Sequence, residues 1–393
     1  MKRFTIISTF AALLIGCNAP APLSVQMVRS EMTRCPDARM LDFKDGKEIS
    51  WNYTPGLEMK SFLDVFKSYG GDDILSYVDS WYDAAIGDDG EIKYYHPGSY
   101  SVDKVCPANT LFALYDLTGK EKYRAAADSM ALTLGSHPRT SEGAFWHKSI
   151  YPWQIWLDGL YMAEPFYAQH TARYAPDSLK AEIFSDITND FLVTARHTFD
   201  PATGLYRHAW DETRSMFWCD PDTGQSAHCW GRALGWYCMA IVDVLDHMPE
   251  ETPGRQEMIG ILRGIFDVLP SFADPATGMW YQVLDQPGRE GNYLEATCSA
   301  MFSYTLLKGV RMGYLDKSLE KYARKTYRSL VRTFISRDGD GLLNIDNCCS
   351  VGGLGGKTMR KGDYDYYLSE PVRSNDAKGV GPFIWASLEM EAR

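Results

Sequence analysis

The apolar positions of this chain repeat with a helical period. Ile74, Tyr77, Val78, Trp81 and Tyr82 fall at i, i+3, i+4, i+7 and i+8, and Tyr123, Ala126, Ala127, Met130 and Leu134 follow nearly the same rule. Both stripes predict amphipathic helices with one face on a core. Further helices are predicted over Leu111–Leu117, Gly159–Ala172, Gly235–His247, Gln256–Leu269, Cys298–Met312 and Leu319–Ile335. The breaks between helices carry Thr118-Gly119, Pro249, Pro253 and Gly313. Strand-like alternation is rare. It is confined to short, hairpin-like pieces at a recurring motif, where a turn and a glycine lead into an aromatic or apolar run.

That motif stands at Asp89-Gly90 (running to Tyr94-Tyr95), Glu142-Gly143-Ala144-Phe145-Trp146, Thr203-Gly204-Leu205-Tyr206, Thr277-Gly278-Met279-Trp280-Tyr281 and Asp340-Gly341-Leu342-Leu343. Two copies share the string Asp-Pro-Ala-Thr-Gly, at 200–204 and 274–278. The spacing exceeds the period of common helical repeats, about 34–47 residues. It fits a hairpin of two helices plus a substantial loop. Five units are visible, and a sixth is expected between them or at the ends. Such hairpins can close into a ring, one set of helices inside and the other outside. The expected fold is all-α, an (α/α)6 barrel of helical hairpins forming one catalytic domain over 40–393. An open solenoid is the alternative that periodicity leaves.

Length, 393 residues, and ordinary globular composition add little to this picture. The net charge of −11 argues against a nucleic-acid partner, since nothing basic is concentrated enough to neutralise phosphates. Residues 1–17 carry a positive n-region, Lys2 and Arg3, followed by an apolar run too short to span a bilayer. They are expected to be an export signal. Leu14-Ile15-Gly16-Cys17 resembles a bacterial lipobox, with Cys17 lipidated and 18–39 as a tether. The expectation is an exported lipoprotein, periplasmic or anchored to the outer membrane, touching the membrane only through its lipid. The oligomeric state is left open. Of the nine cysteines, those beyond Cys17 show no zinc spacing and are expected to be mostly small buried residues.

The chemistry concentrates in residues 141–170, which hold three Trp, two Phe and three Tyr around a single aspartate, Asp158. Apolar surroundings disfavour a charged carboxyl, so Asp158 is a candidate proton donor. Aromatic faces beside polar groups suit a sugar. Asp158 could instead cap a helix beginning near Gly159, which would favour its carboxylate form. Asp103 is a second candidate, since a neighbouring carboxylate raises one of two pKa values; alone, it reads as a solvated loop residue. His147 and Lys148 lie just upstream of Asp158. His208 lies one repeat on. Trp230-Gly231-Arg232 opens a long helix, where Gly231 permits close approach to a ligand and Arg232 could clamp a carboxylate. No phosphate loop, zinc-protease motif or nucleophile elbow is present, and no metal or organic cofactor is expected.

At these residues the chain resembles glycoside hydrolase family 105, the unsaturated rhamnogalacturonyl hydrolases. The likeness runs through His137-Pro138-Arg139-Thr140, Gly143-Ala144-Phe145-Trp146-His147-Lys148, Tyr151-Pro152 with Gln154, and Trp156-Leu157-Asp158-Gly159-Leu160-Tyr161-Met162. It continues in His208-Ala209-Trp210-Asp211-Glu212, Trp230-Gly231-Arg232-Ala233-Leu234-Gly235-Trp236 and Gly379-Val380-Gly381-Pro382-Phe383. The resemblance implies an (α/α)6 barrel acting on the 4,5-unsaturated uronyl residue that polysaccharide lyases leave on oligosaccharides. It implies that Asp158 protonates carbon 4 and then, ionised, directs water to carbon 5. The resulting hemiketal opens and releases the aglycone. This differs from two-carboxylate glycoside displacement.

The same resemblance implies that Asp103 orients the sugar and helps hold the proton on Asp158. It places His147, Lys148, Trp156, His208, Trp230 and Arg232 against substrate, with Trp230 stacking on the ring and Lys148 and Arg232 offsetting uronate charge. Tyr53 is a further match. The chain departs from the family near Asp103, where Lys104 and Cys106 stand in place of an acid and an Asn. Loops 220–228 and 350–370 leave the aglycone open. Rival readings are an unsaturated glucuronyl hydrolase on glycosaminoglycan or ulvan fragments, an epimerase or lyase on the same barrel, and a non-catalytic sugar-binding lipoprotein.

Overall fold

The computed structural model describes residues 20–41 and 49–392. Cys17 and the expected signal segment lie outside the described residues. The helices are α1 (Leu23–Arg34), α2 (Tyr53–Tyr69), α3 (Asp72–Ala85), α4 (Leu111–Thr118), α5 (Glu121–Gly135), α6 (Leu157–Tyr174) and α7 (Asp177–Thr198). They continue with α8 (Gly231–Val244), α9 (Arg255–Val268), α10 (Ala296–Arg311), α11 (Glu320–Phe334), α12 (Tyr364–Ser369) and α13 (Ala377–Glu391). No described helix is long and apolar enough to cross a membrane.

Six elements form an inner ring. They are α2, the 3-10 helix Cys106–Thr110 that leads into α4, then α6, α8, α10 and α13. Each packs on the next, and α13 packs back on α2, so the ring closes and the open solenoid is excluded. Helix α8 is buried along its whole length, as a helix surrounded by others must be. Its Gly235 lets α10 come close; a Cβ there would sit 2.6 Å from Met301 Sδ. The outer helices α3, α5, α7, α9 and α11 each bury one stripe and pair with the preceding inner helix.

The sixth outer helix is α1, and it corrects the expected tether over 18–39. Helix α1 packs on α13, Met27 and Val28 are fully buried, and the Ser24 amide donates to Glu391 at 3.1 Å. The first helix of the described chain thus completes the hairpin of the last. A short, weakly apolar segment at one end reads as tether because its partner lies at the other end.

Each outer helix returns the chain, so the inner helices run parallel. Their C-terminal mouth is crossed by short connections and closed by paired charges around a cavity of about 310 Å³. Lys308 Nζ reaches Asp243 (2.7 Å) and Asp246 (2.6 Å) there, and Lys60 reaches Asp64 (2.9 Å). At the N-terminal mouth the connections are long. They carry the strands β1 (Gln154–Trp156), β2 (Phe199–Asp200), β3 (Leu205–Tyr206), β4 (Ala209–Asp211), β5 (Ile335–Arg337), β6 (Leu343–Ile345), β7 (Cys348–Cys349) and β8 (Val372–Arg373). These form four separate antiparallel pairs. The glycine-aromatic motifs fall in these loops. The eight described cysteines are free thiols, six of them buried.

Candidate active site

Backbone pairing between loops brings distant residues to the N-terminal mouth. Strand β1 feeds directly into α6 and pairs with β4 in the register Trp156↔Ala209. The Leu157 amide then donates to the His208 carbonyl at 3.0 Å, so Asp158 and His208 become neighbours across fifty residues of chain. A bridge between Ser101 and Lys148 and a bond from the Val102 amide to the His147 carbonyl (3.2 Å) set Asp103 beside them. Six helix N-termini converge here, and their partial positive charge favours anions.

Helix α6 begins at Leu157, so Asp158 lies in its first turn and makes no capping bond. The capping alternative is therefore set aside. The side chain is 14% exposed, enough to reach the mouth. His208 Nε2 stands 3.1 Å from Asp158 Oδ2, an ion-pairing distance. His208 itself is wholly buried, and its Nδ1 lies 2.7 Å from the Tyr367 hydroxyl.

Burial pushes the Asp158 carboxyl up, as expected from its aromatic neighbours. His208, then His147 and Arg232, outweigh burial, and the carboxyl sits below its ordinary range. The aromatic enclosure alone does not decide the protonation of this carboxyl; the opposing charges around it do.

Asp103 is buried and ion-paired with Lys148 Nζ, and His147 Nε2 lies 3.7 Å from its Oδ1. Burial raises this carboxyl, but Lys148 and His147 outweigh it and hold it low. The His147 ring is pushed down to about 3, chiefly by burial, and is neutral. It lies flat on Trp156 (4.4 Å, 9°), which stacks in turn on Tyr151 (4.9 Å, 21°). Gly159 makes room for it; a Cβ there would come 3.1 Å from His147 Nδ1. Lys104, which departs from the family pattern, turns away and donates to the Trp51 carbonyl at 2.5 Å.

Trp230 departs from expectation. It is 1% exposed. Tyr367 stacks on it at 5.8 Å, the Arg232 guanidinium lies 4.5 Å from its ring centre, and a Cβ on Gly352 would come 2.4 Å from its ring. With its surfaces taken by protein, Trp230 buttresses His208 rather than offering a face to a sugar. Trp156 is clamped likewise. Gly231 approaches α10, not a ligand; a Cβ there would meet Cys298 Sγ at 2.9 Å. Arg232 is buried, donates to the Cys349 carbonyl and forms no ion pair among the described residues. Its charge acts on Tyr53, whose hydroxyl burial keeps protonated, and which also feels Asp103 and Asp158.

All nine expected site residues therefore meet at one mouth. Sequence reasoning missed Tyr367, the partner of His208, and Gln282, which accepts from Trp230 Nε1 at 3.0 Å. The only available signal for Tyr367 was the aromatic run Tyr364-Asp365-Tyr366-Tyr367. Among the described residues no His, Cys, Asp and Glu cluster is arranged to hold a metal ion.

The profile of Glycosyl Hydrolase Family 88 matches residues 23–393. A glycoside hydrolase from family 105 of C. acetobutylicum superposes with a TM-score of 0.89 at 40% identity, covering 94% of this chain and 99% of that one. The 24.9 kDa protein in the picA locus of Rhizobium radiobacter is 38% identical over 225 residues, 55% of this chain and 94% of that protein. The unsaturated rhamnogalacturonyl hydrolase YesR of Bacillus subtilis is 26% identical over 280 residues, 69% of this chain and 75% of YesR. A closed helical barrel, a mouth lined by Asp158, His208, Asp103 and Lys148, and these matches agree: the chain belongs to Glycosyl Hydrolase Family 88 and shares glycoside hydrolase family 105 with the clostridial protein.

Proposed function

We propose that the enzyme removes 4,5-unsaturated uronyl residues, galacturonyl foremost, from the non-reducing end of lyase-generated oligosaccharides such as rhamnogalacturonan fragments. The observation that carries this reading is Asp158, a carboxyl at the barrel mouth 3.1 Å from His208, with the Asp103–Lys148 pair at the same mouth. Asp158 delivers a proton to carbon 4 of the enol ether, and positive charge develops at carbon 5 and the ring oxygen. Water adds at carbon 5 and returns its proton to the Asp158 carboxylate. The hemiketal opens, the aglycone leaves, and the sum is one water consumed.

Its neighbours hold the Asp158 carboxyl ionised, so on this reading its proton is taken up as substrate binds. A uronate carboxylate entering the mouth is a like charge, and displaced water is lost solvation; both raise Asp158. Arg232 and the converging helix N-termini offset the uronate, and ionised Asp103 orients the sugar hydroxyls. Calorimetry in buffers of differing ionisation heat should report net proton uptake when an inactive variant binds oligosaccharide.

The test is loss of the ultraviolet absorbance of the conjugated enol ether, run over unsaturated disaccharides from pectin, glycosaminoglycan and ulvan. Turnover of the pectin-derived substrate is expected to be fastest; turnover of none would remove the reading. We further propose export and lipidation at Cys17. Cys17→Ser should release the protein from the membrane fraction, and a variant that stays bound would discard the anchor.

A further inference from the structure

Behind His147, on the side away from Asp103, lies a small internal cavity of about 10 Å³ lined among others by Trp146, His147, Glu164, Asp190 and Thr194. Four buried polar atoms of these residues, Trp146 Nε1, His147 Nδ1, Glu164 Oε2 and Thr194 Oγ1, find no hydrogen-bond partner among the described residues. Buried donors and acceptors without partners are rare, and each calls for an explanation. A cavity of about this size is at the lower bound for one water molecule, which needs two to four polar partners. One water can accept from the Trp146 N–H and the Thr194 hydroxyl and donate to His147 Nδ1 and Glu164 Oε2. The four unpaired atoms are the complement of its four bonds.

Glu164 and Asp190 are neighbouring buried carboxyls, each acting on the other's titration. Asp190 also accepts from the Phe145 amide at 3.3 Å and lies 3.7 Å from Arg139, which is itself held by Asp186 at 2.6 Å. Burial, then the Asp190 charge and hydrogen bond, push the Glu164 carboxyl far above its ordinary range, so Glu164 carries the shared proton. In the arrangement proposed below, Oε1 donates that proton to Asp190 and Oε2 stays an acceptor. His147 is neutral and has a single N–H to place. If Nδ1 accepts, that N–H is on Nε2, the atom 3.7 Å from Asp103 Oδ1. The other tautomer would aim a lone pair at the Asp103 carboxylate.

We propose that one internal water joins Glu164 to His147 and fixes the Nε2–H tautomer of His147 against Asp103, which makes Glu164 and Asp190 positioning residues of the active site. The arrangement explains why a carboxyl pair is buried directly behind the aromatic wall. The kinetic consequence rests on the hydrolase reading above; the tautomer does not.

The experiment uses the whole protein labelled with 15N-histidine, with the His147 ring assigned by its loss in His147→Gln. The wild-type ring should show Nδ1 unprotonated and Nε2 protonated. Glu164→Leu removes the acceptor, so Nδ1–H should become populated, with kcat falling about tenfold and KM moving less. Glu164→Gln keeps a carbonyl toward the water and an N–H toward Asp190, so the wild-type tautomer should persist. A wild-type ring protonated on Nδ1, a Glu164→Leu ring identical to wild type, or a Glu164→Gln ring that switches would each overturn the proposal. Should Glu164→Leu fail to fold, the wild-type and Glu164→Gln spectra still decide. The expected spectra in a protein that turns over no unsaturated oligosaccharide would keep the positioning and discard the function.

Discussion

Asp158 and Glu164 stand on the same helix, less than two turns apart, and burial raises the carboxyl of each. Their outcomes are opposite. Asp158 faces His208 and is drawn below the carboxylate range; Glu164 faces Asp190 and is driven far above it. Desolvation is common to both, so the sign of the partner's charge decides. The difference also sorts their roles. A proton on Glu164 stays in place through the cycle. On the proposed mechanism the proton that Asp158 delivers is gained and lost, because its neighbours hold that carboxyl ionised until an anionic substrate raises it.

The largest effect that could break this comparison is at Asp158. Asp158→Asn keeps the shape and removes the proton. Turnover of an unsaturated disaccharide, followed by absorbance, should fall by at least about 100- to 10,000-fold. Binding of the same sugar should persist, as read by calorimetry. Turnover near the wild-type rate would take Asp158 out of the mechanism.

His208 sharpens the contrast. Removing it takes away the leading influence that opposes burial at Asp158. In the His208→Gln enzyme the carboxyl should rise. kcat/KM requires the protonated form, so its alkaline limb, which falls as pH passes through the Asp158 value, should move to higher pH even as the maximum drops. A limb that stays put or moves to lower pH would mean that His208 does not set this carboxyl. Tyr367→Phe tests the next link with a smaller effect. It strips His208 Nδ1 of its 2.7 Å partner, and about 1 kcal/mol, a fivefold fall in kcat, is expected.

These partners mark the boundary of what the sequence made legible. Helical hairpins and glycine-aromatic loops follow from local periodicity; closure does not, since an open solenoid has the same period, and it is the packing of α13 on α2 that closes the ring. The grouping of Asp103, His147, Lys148 and Asp158 was readable because their motifs sit near one another and near loop turns. The direction of the Asp158 shift was not readable, since aromatic neighbours announce burial while the opposing charge sits on another repeat. The covered faces of Trp230 depend on Tyr367 and Gly352, more than a hundred residues away, so a tryptophan beside an arginine looked like a sugar platform. Helix α1 went unrecognised for the same reason, because its burial needs α13. Periodicity reports which face is buried and is silent on what covers it.

The smallest expected effect concerns stability rather than rate, and it isolates the Glu164–Asp190 half of the comparison. Asp190 rises from its ordinary 3.8 to about 7, through burial first, opposed by the Glu164 hydrogen bond and Arg139. A carboxyl raised on folding contributes stability that is fully present below its unfolded value and is lost as pH climbs through its folded value. The wild-type melting temperature should therefore carry a decline between about pH 4 and pH 7 from this pair. In Glu164→Gln the amide replaces the shared proton permanently, and Asp190 is left as a single carboxylate beside Arg139. The gap between variant and wild type should widen in favour of the variant as pH rises, reaching a Tm gain of roughly 2 °C near pH 8. Activity at Asp158 should keep its own pH profile, because that carboxyl answers to His208. A Tm difference independent of pH would show that the two buried acids share no titrating proton, and the contrast between the two halves of α6 would then rest on Asp158 alone.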